Sequence, residues 1–228
     1  MNAKRIPKLP FEKWSAEWKD ARHMTGEIDR VVDLWRKMPS THRWTRDQLV
    51  EVLGFRKNNK EDAGEQKIER LLLGPKGKIQ PHSFLIKGRS YNFEALRHAV
   101  ALSKHKTGQV IADAVGKIQI SGKWHPLAIE IKVTQGDCWS AVVQNMQQVR
   151  MLRAQGRKTL NQFHADGGVW GMVLAPVRYF DKRPSALRAS QELLERLRRK
   201  THLRIALCYC DSLRDKQIEC FWSNWTAK

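Results

Sequence analysis

An α/β fold, with a mixed central sheet flanked by helices, is predicted by three features of this 228-residue chain. Short apolar runs of strand length stand at Leu127–Val133, Gly168–Ala175 and His202–Cys210. Longer stretches of helical periodicity, Asp137–Ala154 and Pro184 to about Lys200, alternate with them. Gly and Pro punctuate the boundaries, and segments alternating in this way pack helices over a sheet. A hydrophobic fraction of 41 % is enough to bury a core, and the length allows a medium domain with a small accessory part.

The N-terminal third reads as helical. Trp14 and Trp18 fall on one face of a short basic helix. Residues 27–38 place Ile28, Val31, Val32, Trp35 and Met38 at helical spacing, and Pro39-Ser40 ends them. Thr45 fits as the N-cap of Arg46–Leu53, with Gly54 as the stop. Asp62–Leu73 form a third stretch that ends at Gly74-Pro75. Ser83–Lys87, the turn Gly88-Arg89 and Tyr91–Phe93 read as a hairpin. Three short helices and a hairpin are the parts of a winged helix. Residues 1–90 are therefore expected to form a basic helical region for DNA binding, and 91–228 the main domain.

Within that domain Asn92 is expected to cap a helix from Phe93 to about Lys104, broken by Thr107-Gly108. Gln109–Ala112 and Ala114–Ile120 follow as two strands, Ser121-Gly122-Lys123 as a turn, and Leu127–Val133 as the strongest strand. Gln217–Trp222 reads as the last one.

Lys and Arg number 42 against 23 Asp and Glu, a formal charge of +19. Such an excess disfavours the compact state by self-repulsion and points to a polyanionic partner, above all a phosphate backbone. No stretch reads as a basic amphipathic membrane anchor, a signal peptide or a transmembrane helix. The four cysteines (Cys138, Cys208, Cys210 and Cys220) lack the paired spacing of a zinc site. Cys208 and Cys210, two apart in an apolar run, are expected on one face of a strand. A cytoplasmic, reducing location is expected.

The chemistry is concentrated in Asp113 and Glu130-Ile131-Lys132. Glu130 and Lys132 project from the same face of their strand, while Ile129, Ile131 and Val133 project from the other. Charges on a strand this apolar need a cause. A hairpin brings Asp113 to them. Two carboxylates offer hard oxygen ligands suited to Mg²⁺, for which Mn²⁺ can substitute, and the Ile131 carbonyl can add a third oxygen. Lys132 can orient or deprotonate a water and screen charge growing on phosphorus. These residue types fit phosphodiester hydrolysis. Arg150, Arg153, Arg157 and Lys158 form one basic cluster and Arg196, Arg198, Arg199, Lys200 and Arg204 another, both expected to contact phosphates. His125, Trp124 and Trp139 flank the site in sequence, and core packing is the simpler expectation for the two indoles.

The segment Asp113-Ala-Val-Gly followed by Leu127-Ala-Ile-Glu130-Ile-Lys132-Val-Thr resembles the metal-binding hairpin of the PD-(D/E)xK nuclease superfamily. The pattern is closest to its Holliday junction resolvase and virus-type replication-repair branches, although Ala112 stands where the motif name has proline. The resemblance covers residues 93–175. It implies a restriction-endonuclease-like sheet for 91–228 and Mg²⁺-dependent cleavage of DNA. It also implies a glutamine from the following helix, Gln144 or Gln148. A further carboxylate comes from the helix before the sheet, Glu94 first and Glu65 as the alternative. Cutting both strands calls for two active sites and so for a homodimer. Two other functions fit the same charge: a non-catalytic DNA-binding protein and an RNA-processing nuclease.

Overall fold

The computed structural model describes residues 11–38, 65–73, 80–102, 110–134, 136–155 and 167–225. Among the described residues three helices come first: α1 (Phe11–Ala21), α2 (Ile28–Lys37) and α3 (Glu65–Leu73). Four strands follow, β1 (Gln80–Ile86), β2 (Arg89–Ala101), β3 (Ile111–Ile120) and β4 (Lys123–Ile131). Then come α4 (Cys138–Ala154), β5 (Trp170–Ala175), α5 (Val177–Asp181), α6 (Pro184–Thr201), β6 (Ile205–Tyr209) and β7 (Gln217–Ser223). The helix expected at Arg46–Leu53 lies outside the described residues.

Local chemistry sets the turns. Lys87-Gly88 and Ser121-Gly122 all have positive φ, which places a pair of left-handed residues at each hairpin tip, β1–β2 and β3–β4. Paired left-handed residues match the right-handed twist of the flanking strands. Asp137 caps α4, its carboxylate accepting the Ser140 N–H at 2.9 Å.

The seven described strands join in chain order and close into a barrel. The pairs β1–β2, β2–β3, β3–β4 and β6–β7 are antiparallel. β4–β5 and β5–β6 are parallel, as their helical crossovers require. The closing pair, β1–β7, is parallel and runs from Ser83↔Gln217 to Ile86↔Cys220. An open mixed sheet flanked by helices, the arrangement expected from the sequence and from its restriction-endonuclease-like resemblance, is therefore corrected to a closed barrel. The hairpin expected as the wing at 83–93 forms part of this barrel, β1 pairing with β7 and β2 with β3.

The physical cause lies in β2. Residues 93–104, expected as a helix, are strand as far as Ala101. Phe93 and Ala95 face the barrel interior, and Leu96 packs outside it. The Asn92 amide donates to Gln119 Oε1 at 3.0 Å instead of capping a helix. Helix-favouring residues such as Glu94, Ala95 and Leu96 carry a weak preference, and pairing on both edges overrides it. β3 is likewise one strand running through Asp113 where two were expected.

Two apolar layers result. Phe84, Phe93, Ile118, Leu127, Ile129, Met172 and Leu174 fill the interior together with Cys208, Cys210 and Cys220, and Ile68 and Leu72 of α3 join them. Cys208 and Cys210 do share that face, and all four cysteines are free thiols. Outside, Val115, Ala128, Val173 and Leu207 pack under Val142, Met146 and Val149 of α4. Trp14 and Trp18 stack at 5.1 Å and extend this layer to α1. Trp139 Nε1 donates to Ala21 O at 2.9 Å, tying α1 to α4.

Gly171 of β5 lets α4 come this close. A Cβ there would clash with Asn145 Oδ1 and lie 2.7 Å from Val149 Cγ2. Gly171→Ala is expected to cost about 1–3 kcal/mol of stability, the range for overpacking a filled core. Urea denaturation measures it, and an unchanged midpoint would show that α4 shifts freely.

Candidate active site

The sheet ladder between β3 and β4 runs only as far as Ala114↔Ile129. Beyond it Asp113 replaces the missing rung: its Oδ2 accepts the Ile131 N–H at 2.7 Å. The two strand ends thus stay together with a carboxylate between them. Glu130, the penultimate residue of β4, is 0 % exposed. Its Oε1 meets Lys132 Nζ at 2.5 Å, and its Oε2 accepts from Gln148 Nε2 of α4. Gln148 also donates to Ile111 O at 2.8 Å, and its own Oε1 accepts from Asn145 Nδ2 at 3.0 Å. Asn145 is anchored on Ala128 O at 2.9 Å. Glu130 is therefore gripped from the strand by Lys132 and from the helix by a chain of amides.

α3 brings two more carboxylates. Glu65 Oε1 lies 3.8 Å from Lys132 Nζ. Glu69, one turn later on α3, is close enough to Asp113 and Glu65 that their charges act on it. Burial, with those two charges, pushes the Glu69 carboxyl up to about 7. Burial and Asp113 push Glu130 up to about 8. Burial also raises Asp113, against the opposing pull of Lys132, the Ile131 N–H and the Glu130 side chain. Burial works against the Lys132 ammonium, but Glu130 and Asp113 outweigh it and raise its pKa.

The sequence-derived candidates divide. Asp113, Glu130, Lys132, Gln148 and the backbone of Ile131 come together. Glu65 reaches this site, whereas Glu94 does not: Glu94 pairs with Lys117 at 3.1 Å along β2 and β3. Gln144 is bonded elsewhere, its Oε1 accepting from Arg22 at 3.5 Å. Arg150 and Arg153 serve packing. Arg150 lies over the Trp35 ring at 5.9 Å, and Arg153 donates to Thr201 O and Val169 O. Arg157 and Lys158 lie outside the described residues. Arg196 pairs with Asp29 and Arg198 with Glu195, Arg199 is exposed, and Lys200 sits at the end of α6. His125 stacks on Trp170 at 3.8 Å, Trp139 is buried, and Lys117 covers the Trp124 ring.

Glu69, Asn145 and Arg22 were not singled out from the sequence. The Glu65/Glu69 spacing on one helix face was the available signal for the first. For Asn145 and Arg22 no local signal exists.

Among the described residues no three His, Cys, Asp or Glu side chains stand in ready ligand geometry. The charge of Asp113 instead helps burial push the Glu130 carboxyl up. The donor set nevertheless fits a hard divalent cation, since the carboxylates of Glu130, Asp113 and Glu65 surround one ammonium in a chain of charge +19, with Glu69 beside Asp113 and Glu65. A cation bound between carboxylates relieves that repulsion. No helix among the described residues is long and apolar enough to cross a membrane. No family model, curated protein or solved structure matches the chain.

Proposed function

We propose that this protein is a Mg²⁺-dependent DNA endonuclease with Asp113, Glu130 and Lys132 at its centre. The observation that carries the reading is Glu130. It is a fully buried carboxylate held by Lys132 and Gln148 against Asp113, in a chain whose charge otherwise suits a phosphate backbone. The proposal keeps the hydrolytic chemistry of the PD-(D/E)xK nucleases and not their open sheet.

Asp113 and Glu130 would hold the metal, with the Ile131 backbone beside them and Glu65 and Glu69 across from them. When bound, Mg²⁺ supplies Lewis-acid activation of the phosphodiester and acidifies a water. Lys132 stays next to Glu130, where its ammonium can orient the attacking water and screen charge growing on the phosphate oxygens. Gln148 keeps the Glu130 carboxylate in one rotamer while its proton leaves. Lys182 and Arg183, exposed and bonded to Thr134 O and Asp137 on the loop after Lys132, would meet neighbouring phosphates. A cytoplasmic location suits the free thiols, and a homodimer would supply the second site for a double-strand cut.

The test is cleavage of linear, supercoiled, branched and single-stranded DNA, and of RNA, with Mg²⁺ or Mn²⁺. Cleavage of RNA alone would change the substrate and keep the site, whereas no cleavage of any nucleic acid would sink the proposal. Lys132→Ala separates an enzyme from a mere binder. It is expected to bind DNA like wild type and cleave it at least about 10²-fold more slowly, the usual worth of a positioned proton-transfer group. Equal cleavage by the variant removes Lys132 from the mechanism.

A further inference from the structure

Arg22 sits in the turn that ends α1, and its side chain enters the layer between α1 and α4. Its guanidinium donates to Gln144 Oε1 at 3.5 Å and to Gln147 Oε1 at 3.2 Å. Both acceptors are neutral amides that hold the fork without cancelling its charge. No ion pair joins Arg22 to a carboxylate among the described residues, and its Nε donor is buried without a hydrogen-bond partner. A half-buried guanidinium in that condition is costly, since a cation out of water needs an anion and a full set of acceptors. Glu130 is near enough for its charge to favour the guanidinium, although burial disfavours it more. Glu130 itself is already ion-paired with Lys132 through Oε1 and accepts from Gln148 through Oε2. Arg22 is thus a cation near Glu130, held by two amides and without an ion pair among the described residues.

Resting on the reading of this site as a nuclease, we infer that Arg22, held by Gln144 and Gln147, is a phosphate-binding residue that takes a backbone phosphate of the DNA strand lying against Glu130. The guanidinium fork matches two phosphate oxygens, and the two glutamines leave it charged and preoriented. This gives Gln144 and the buried Gln147 a purpose that Gln148, already on Glu130, does not share.

The experiment measures binding of a fluorescein-labelled DNA duplex over a range of salt, with Ca²⁺ in place of Mg²⁺, alongside single-turnover cleavage with Mg²⁺. Arg22→Gln is expected to weaken binding about 10-fold and to reduce the slope of log affinity against log salt by about 1, the signature of one lost phosphate contact. Arg22→Lys keeps the charge and is expected to keep the slope while losing part of the affinity. Wild-type affinity and slope in Arg22→Gln overturn the inference, and so does an affinity loss with unchanged slope, which marks a packing role. Should Arg22→Gln fail to fold, Gln147→Glu neutralises the guanidinium in place and is expected to show the same loss of slope. An unchanged slope there is equally fatal. If wild type binds but cuts nothing and Arg22→Gln still loses slope, the phosphate contact stands and the nuclease falls. If wild type cuts and Arg22→Gln binds and cuts like it, the reverse holds. A wild type that does not bind DNA overturns both.

Discussion

Glu130→Gln is expected to lower cleavage by at least about 10³-fold, the scale of losing a principal electrostatic group of an active site. The same change is expected to improve the metal-free protein at alkaline pH. The folded carboxyl titrates at about 8, whereas its ordinary value is 4.5. Between those values the folded chain binds more protons than the unfolded one, so wild-type stability falls as pH rises through that window. Glutamine has the size of the protonated acid and carries no charge at any of these pH values. The stability of the variant relative to wild type should therefore grow between pH 5 and pH 8, by on the order of 1–3 kcal/mol. Urea denaturation at both pH values, without divalent ions, gives the comparison. A difference between variant and wild type that does not change with pH would show that Glu130 is ionised in the folded protein throughout. A site that weakens its own fold and is needed for turnover follows the usual exchange of stability for activity.

Mn²⁺ affinity is expected to rise about 100-fold from pH 6 to pH 8, tenfold per unit while one proton must leave for each ion bound. The sign follows from the raised carboxyls. Below about 8 Glu130 holds a proton that the cation must displace, and Glu69, at about 7, adds a second if it joins the ligands. Lower pH therefore means weaker metal. Titration calorimetry at pH 7 in two buffers of different ionisation heat reads the released proton directly, and about one per ion is expected. An affinity flat across this range would remove Glu130 from the ligand set.

Much of the site could be read from the chain, and the reasons are local. Glu130 and Lys132 share a strand face by simple alternation, and Asp113 was a hairpin away. α4 announced itself through Val142, Met146 and Val149. Choosing between Gln144 and Gln148 was beyond the sequence, because both lie on one helix a turn apart and only packing against β4 separates them. Glu94 was misjudged together with its element. The run Glu94-Ala95-Leu96-Arg97 favours a helix, and what makes it a strand is contact with β1 on one side and β3 on the other. The same misreading hid the barrel, since a helix at 93–104 leaves no strand to join the 83–93 hairpin to β3. Arg22 was invisible for a similar reason: it meets Gln144 and Gln147 only across the folded molecule.

The parallel pairing of β7 with β1 also decides how two copies can meet. An open sheet ends in strands whose N–H and C=O groups face solvent, and such strands template the addition of further strands. Here Ser83–Ile86 turn those groups onto Gln217–Cys220 of the same chain. Neighbouring molecules therefore cannot extend one another's sheet, and edge-to-edge aggregation has no starting point among the described strands. Contact between copies falls to helix faces and loops, and at a charge of +19 like molecules repel there, most strongly at low salt. A polyanion laid between two copies removes that repulsion.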